Sequence, residues 1–243
     1  MPLHLYVLEC ALKASLRIGI NPKWVPQTTK GHQHLLLEAL PKEIRGLKSD
    51  SISTTIIWER NYQVKIGDGN DIAPRDWTCY TDGSKVGCSS GSGAVILHNG
   101  HVFQNISFSV GKAEVFQAEV CAVMAAAKVL LELELAGSQI DFLVDSQAAL
   151  KSLLNPTTIS DSVRNTKIVL NSLGQTNTID LHYIAAHRGH KFNEVADANA
   201  NRGRDMEELP ENIPLPSKRS LHVKVENMIR ETHLLILIAC PLK

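Results

Sequence analysis

Residues 113 to 135 run for more than five helical turns without a glycine or proline, and Ala, Leu and Glu dominate them. A helix that long needs an apolar surface to lie on, and the sequence on either side supplies one. Before it, Trp77 to Asp82 reads as a strand and Gly93 to His98 as a second. An Asn99-Gly100 turn of the hairpin type leads into His101 to Ser109 as a third. After it, Gly137 is a helix stop, and Ile140 to Val144 is a short apolar strand. Ser146 to Leu154 reads as a helix ended by Asn155-Pro156, Asp161 to Leu173 as a helix ended by Gly174, Thr178 to Ile184 as a last strand, and Asn193 to Asn201 as a closing helix. A meander followed by strand-helix-strand repetition implies an α/β mixed sheet covered by helices, with right-handed crossovers making the later strands parallel to the first. Sites in such sheets lie beyond the carboxyl ends of the parallel strands, where Asp145 falls.

The rest of the chain is read more coarsely. Leu3, Leu5, Leu8, Ala11, Leu12, Leu16 and Ile20 have helical spacing before the Asn21-Pro22 break, so residues 1 to 75 are expected to be a helical segment. Gly67-Asp68-Gly69-Asn70 with Pro74 reads as the linker to a main domain at 76–205, and 206–243 is a C-terminal extension. Five scattered cysteines without a Cys-x-x-Cys pair fit a reducing, intracellular compartment, cytoplasm or nucleus. The longest apolar run, Leu234 to Cys240, is too short to span a bilayer, so no membrane is expected.

Four acids stand out because each sits in a short patterned run: Tyr80-Thr81-Asp82-Gly83-Ser84, Phe116-Gln117-Ala118-Glu119, Val144-Asp145-Ser146-Gln147, and His187-Arg188-Gly189 followed by Asn193-Glu194-Val195-Ala196-Asp197. In this order, on these elements, the four runs resemble the active-site segments of type 1 ribonuclease H domains, over about residues 76 to 205. The resemblance implies a ribonuclease H-like fold, a five-stranded mixed sheet flanked by helices. It also implies hydrolysis of the RNA strand of an RNA/DNA hybrid. Asp82, Glu119, Asp145 and Asp197 would be the catalytic acids and the ligands of two Mg2+ ions, with Mn2+ able to substitute. His187 would assist proton transfer and product departure, and Gly83, Ser84 and Gln147 would meet the nucleic acid.

Residue chemistry agrees with that expectation. Phosphodiester hydrolysis needs an activated water and charge stabilisation on two oxygens, the work of paired Mg2+ ions roughly 3.5–4 Å apart. Such hard ions favour carboxylate oxygens over His or Cys. Glu119 has uncharged helical neighbours in Val115, Phe116, Ala122 and Val123, so it lacks a same-helix partner. Blander readings stand beside the functional ones. Glu119 at a boundary can snorkel to solvent, Asp82 can be a turn residue, and Asp145 can be the N-cap of the next helix. Asp197 can lie on a solvated helix face, His187 with His190 can be half of a zinc site, and Gly83, Ser84 and Gln147 can be turn chemistry.

Val115 to Glu119 together with Asp145 to Leu150 is similar to the ribonuclease H of non-LTR retrotransposon polyproteins. Met1 to Ile18 resembles the segment that follows reverse transcriptase there, which implies a reverse transcriptase partner in a longer polyprotein. No Tyr-x-Asp-Asp run of the polymerase occurs. Phe192 stands where the family commonly has glycine, Ala185 where it has proline, Tyr183 where it has tryptophan, and Asn199 where it has an apolar residue. These departures keep open a catalytically silent domain of the same fold, binding nucleic acid or a partner. An integrase-type nuclease is disfavoured by Glu119 on the first long helix.

Residues 76 to 205 hold 13 acids against 10 bases. Most non-specific affinity for a duplex comes from counterion release by Lys and Arg. Hybrid binding is therefore expected to be weak and steeply salt-dependent, and a filter-binding titration between 50 and 200 mM salt checks it. Tight binding that barely changes over that range contradicts this electrostatic reading.

Overall fold

The structure is a computed structural model that describes residues 48–57, 59–67, 75–185, 190–217, 219–221, 223–224 and 227. The chain divides into two compact units, residues 54–215 and residues 1–53 with 216–243. In the second unit the Asp50 N–H donates to the Pro216 carbonyl at 2.8 Å. Among the described residues no helix is long and apolar enough to cross a membrane.

The main unit is built on one sheet. Its strands are Gln63–Lys65 (β2), Trp77–Val86 (β3), Ser89–His98 (β4), His101–Gly111 (β5), Gln139–Val144 (β6) and Thr178–Tyr183 (β8), in the order β2-β8-β6-β3-β4-β5. β3, β4 and β5 form the expected antiparallel meander, while β6 runs parallel to β3, β8 to β6, and β2 to β8. The β4–β5 turn places Asn99 and Gly100 at φ 50° and 78°, the left-handed pair that a two-residue hairpin requires. Helices Val115–Glu132 (α1), Gln147–Leu154 (α2), Asp161–Leu173 (α3) and Lys191–Arg204 (α4) connect or follow the strands. Ser51–Ile57 (β1) and Thr157–Ser160 (β7) make a separate two-stranded sheet.

Two faces of the sheet are covered differently. Cys79, Ile96, Ile140, Phe142, Val144, Ile179 and Leu181 point to one face and pack with Val120, Val123, Ala127 and Leu130 of α1 and with Leu150, Leu153, Leu170 and Leu173 of α2 and α3. On the other face Val95 and Leu97 pack with Ala196 of α4, together with Tyr80 and Phe192. Phe192 lies 5.8 Å from the Tyr80 ring, so this bulky residue in a glycine position anchors the first turn of α4. α4 lies so close to β4 that a Cβ on Gly93 would come within 2.2 Å of the Ala200 nitrogen. Buried Asn199 uses that proximity, donating to the Ala94 carbonyl at 2.9 Å and to Asn105 Oδ1 at 3.1 Å while accepting from Arg202 at 2.7 Å. Its amide is satisfied, which explains how a polar residue fits a position expected to be apolar.

Several elements differ from the sequence reading. α1 ends at Glu132 rather than Leu135, with Glu134 left-handed at φ 51° and Gly137 at φ 73°. Within residues 1–75, expected to be helical, Ser51–Ile57 and Gln63–Lys65 are strands; residues 1–47 lie outside the described residues. β2 makes the sheet six-stranded and not five. It is tied down by Tyr62, buried with its hydroxyl donating to the Leu153 carbonyl at 3.0 Å, and by Asn61, whose N–H donates to Asn171 Oδ1 at 2.9 Å.

One close approach decides where the acids meet. A Cβ on Gly83 would lie 2.4 Å from the Glu119 nitrogen and 2.8 Å from the Ala118 carbonyl carbon, so only glycine lets α1 cross β3 at this distance. Gly83→Ala is expected to lower unfolding stability by roughly 1–3 kcal/mol, the usual range for overpacking, measured by urea denaturation. An unchanged midpoint would show that the helix can give way freely.

Candidate active site

Asp82 lies in β3 and Asp145 immediately follows β6. The parallel register pairs Thr81 with Val144, so both acids emerge side by side as the next residues of adjacent strands. Glu119 reaches the same point from α1, about one and a half turns of helix beyond its N-cap Glu114, whose N–H donates to Gln117 Oε1 at 3.2 Å. Carboxylate oxygens of Asp82, Glu119 and Asp145 all lie within 4.8 Å of one another. Asp197, from α4, shares a side-chain hydrogen bond with Asp82 and so borders the trio.

Like charges this close, this dry, are strongly disfavoured. Burial first, then the charges of Asp145 and Asp197 and the Asp197 hydrogen bond, push Asp82 up to about 7; the Gly83 backbone opposes the shift. Burial first, then the charges of Asp82 and Asp145, push Glu119 up to about 10, again opposed by a hydrogen bond from the Gly83 backbone. Glu119 is 6% exposed, and its Oε2 has no hydrogen-bond partner among the described residues. An orphaned carboxylate oxygen within a cluster of acids is what a hard cation would satisfy, and the all-oxygen donor set suits a divalent ion of the magnesium kind.

Neighbouring residues hold these acids from outside. Asp145 is not the helix cap allowed for in the sequence. Ser146 takes that role, its hydroxyl accepting from the Ala149 N–H at 3.3 Å, which leaves the Asp145 carboxylate to the cluster. Asn193 Nδ2 donates to Asp145 Oδ2 at 3.1 Å. Ser84 Oγ donates to Asn201 Oδ1 at 2.7 Å, and Asn201 Nδ2 donates to Asp197 Oδ1 at 3.0 Å. Ser84 is thus engaged in holding Asp197, and Gly83 in admitting α1. Gln147 is exposed at the first position of α2, with Lys151 Nζ donating to its Oε1 at 3.5 Å. His187 lies outside the described residues. Asn193 and Asn201 were not singled out from the sequence, although their spacing four residues either side of Asp197 places all three on one helical stripe.

A second cluster, Asp141, Asp180 and His182, is equally tight, with ligand atoms within 4.8 Å, and is buried. Its charges are already matched. Lys65 Nζ lies 2.8 Å from Asp180 Oδ2, Arg75 reaches Asp180 at 3.4 Å and Asp141 at 3.6 Å, and His182 Nε2 is 3.2 Å from Asp141. Two acids facing two cations form an internal tie, whereas in the first cluster Glu119 Oε2 has no hydrogen-bond partner among the described residues.

Comparison with known proteins is consistent with this geometry. The RNase H family profile matches residues 74–205, more than half of the chain. A ribonuclease H of Polynucleobacter asymbioticus is 29% identical over 137 residues, covering 51% of this chain and 86% of that one. Among solved structures, RNase H1 from the halophilic archaeon Halobacterium salinarum is similar at 25% identity and a TM-score of 0.43, covering 53% of this chain and 97% of that one. LC11-RNase H1, solved in complex with an RNA/DNA hybrid, is similar at 19% identity and a TM-score of 0.45, covering 53% and 96%.

The raised acids set the pH response of the cation-free protein. A carboxyl whose folded pKa is raised holds its proton to higher pH in the folded state than in the unfolded chain. Its contribution to stability is full below the ordinary carboxylate range and falls as pH rises from about 4 toward 7 for Asp82 and 10 for Glu119. Glu119→Gln, which mimics the protonated form, is expected to stabilise the protein in chelator at pH 8 by at least about 1 kcal/mol, roughly 2–4 °C in Tm. The gain shrinks at pH 5 and is removed by added Mg2+. Thermal melts check it; a gain independent of pH would show that charge is not the cause.

Proposed function

The chain belongs to the ribonuclease H family, and we propose that it is a magnesium-dependent endonuclease that hydrolyses the RNA strand of RNA/DNA hybrids through Asp82, Glu119, Asp145 and Asp197. As a family member it is a hydrolase. The observation that carries the metal-dependent reading is the convergence of Asp82, Glu119 and Asp145 within 4.8 Å with Glu119 Oε2 buried and unpartnered. Two Mg2+ ions held there, or Mn2+ in their place, would lower the pKa of a bound water and stabilise the attacking and leaving oxygens of the phosphate.

The chain's own residues supply the rest of this reading. Asp82, Glu119, Asp145 and Asp197 bind as anions, so metal loading displaces the protons that burial and repulsion keep on Asp82 and Glu119. The new bond joins a water oxygen to phosphorus as the bond to the leaving sugar oxygen breaks. His187 serves the proton transfer and the departure of product in this reading, histidine being the side-chain type whose unperturbed pKa lies nearest neutrality. Gln147, exposed beside Asp145 at the start of α2, is placed to meet the wide minor groove in which an RNA strand displays its 2′-hydroxyls. Gly83 and Ser84 support the site from within.

The catalytic domain in this reading is residues 76–205, with 1–75 as a connecting segment and 206–243 as an extension. The motif resemblance favours an origin in a non-LTR retrotransposon, with reverse transcriptase as partner in a longer polyprotein. Among the described residues Cys79 and Cys88 are free thiols, which suits the reducing interior of a cell, cytoplasm or nucleus.

Asp145→Asn preserves shape and leaves the Ser146 cap intact, so it is expected to fold while losing Mg2+-dependent cleavage of a labelled hybrid by more than about 100-fold, beyond what loss of a supporting residue does. His187→Ala is expected to slow cleavage by roughly 10² to 10⁴-fold and leave a residual Mg2+-dependent rate. Equal cleavage by Asp145→Asn and wild type would sink the carboxylate mechanism. A folded wild type inert with both Mg2+ and Mn2+ would favour the silent-domain reading.

A further inference from the structure

On α4, Asn193, Asp197 and Asn201 follow one another at intervals of four and share one face. Asn193 is 6% exposed and spans two environments. Its Nδ2 donates to Asp145 Oδ2 at 3.1 Å, while its Oδ1 is buried with no hydrogen-bond partner among the described residues. A carboxylate only accepts, so contact with Asp145 decides which end of the amide turns toward it and leaves Oδ1 as an acceptor without a donor. Leaving a buried amide oxygen unpaired is costly, and native structures rarely keep such a group without a use.

The position also explains why the residue is an amide. A Lys or Arg beside Asp145 would neutralise it and compete with any cation. An amide orients the carboxylate and leaves its charge intact. The acceptor on the far end calls for a donor that arrives with the ligand, and a hard divalent cation carries such donors as its bound waters. Packing of Phe192 against Tyr80 holds the turn that carries Asn193, so the amide is set by the same contact that seats α4.

Resting on the reading of the acids as a metal site, we propose that Asn193 is a positioning residue of that site. It fixes Asp145 through Nδ2–H and accepts a hydrogen bond at Oδ1 from a water that the cation brings. Residues that orient metal ligands typically contribute 10- to 100-fold to affinity, roughly the scale expected here.

The test measures Mn2+ binding by the full chain in the absence of nucleic acid, using calorimetry and the electron paramagnetic resonance signal of free Mn2+. Asn193→Leu keeps the volume and removes both polar ends; Asn193→Ala guards against misfolding of the first variant. Both are expected to bind Mn2+ about 10- to 100-fold more weakly while retaining the wild-type far-ultraviolet spectrum. In cleavage assays the Mn2+ concentration at half-maximal rate should rise by the same factor, with KM for the hybrid unchanged at saturating metal. Folded variants that bind Mn2+ like wild type would overturn the inference and leave the metal site standing. Wild type that binds no better than Asp145→Asn would overturn the metal reading and this inference together.

Discussion

Mutual repulsion among carboxylates is the constraint around which this fold is organised. Three acids from β3, α1 and the end of β6 meet within 4.8 Å, and a fourth from α4 hydrogen-bonds to the first. Burial and the charges of the neighbouring acids disfavour the ionised cluster, so the surrounding structure has to impose it. The parallel β3–β6 register delivers Asp82 and Asp145 together, and the glycine at 83 lets α1 press Glu119 against them. The narrow gap between α4 and β4 at Gly93 brings in the stripe that carries Asp197. Stability lost at one point is offset by apolar packing across the rest of the sheet, the usual arrangement at a functional site.

The two acid clusters of the sheet make the electrostatic logic visible. Asp141 and Asp180 are as buried as Asp82 and Glu119, yet Lys65 and Arg75 face them. On α4 the side chains that donate to Asp145 and Asp197 are the neutral amides of Asn193 and Asn201. The same helix carries Arg202 and Arg204, and Arg202 is spent on Ser107 and Asn199 rather than on an acid. Orienting donors without positive charge keep a carboxylate available to a metal.

Much of this was legible in the sequence because each signal was local. The Asn99-Gly100 turn, the breaker-free run of α1 and the stop at Gly174 mark elements by their own chemistry. The acids were legible because each sits in a patterned run. What escaped notice depends on distant partners. Gln63-Val64-Lys65 is too short for any periodicity, and becomes a strand through β8 and the anchoring of Tyr62 and Asn61. Thr157–Ser160 is a strand of four residues hidden between a proline turn and a helix cap. The tie of Ser84 to Asn201 spans 117 residues and leaves no local signal. α1 ends at Glu132 with Glu134 left-handed just after it, so Gly137 falls beyond the stop, its N–H donating to the Thr176 carbonyl at 2.8 Å.

β2 has a practical consequence for anyone isolating the nuclease. The family match begins at residue 74, after this strand. A fragment trimmed to that boundary would discard Tyr62 and Val64 from the core and strip Asp180 of Lys65. It would also leave β8 as an open edge whose free N–H and C=O groups invite pairing between molecules. Insolubility of such a fragment would then report a missing border strand and say nothing about the enzyme. A soluble minimal nuclease has to start upstream of Asn61.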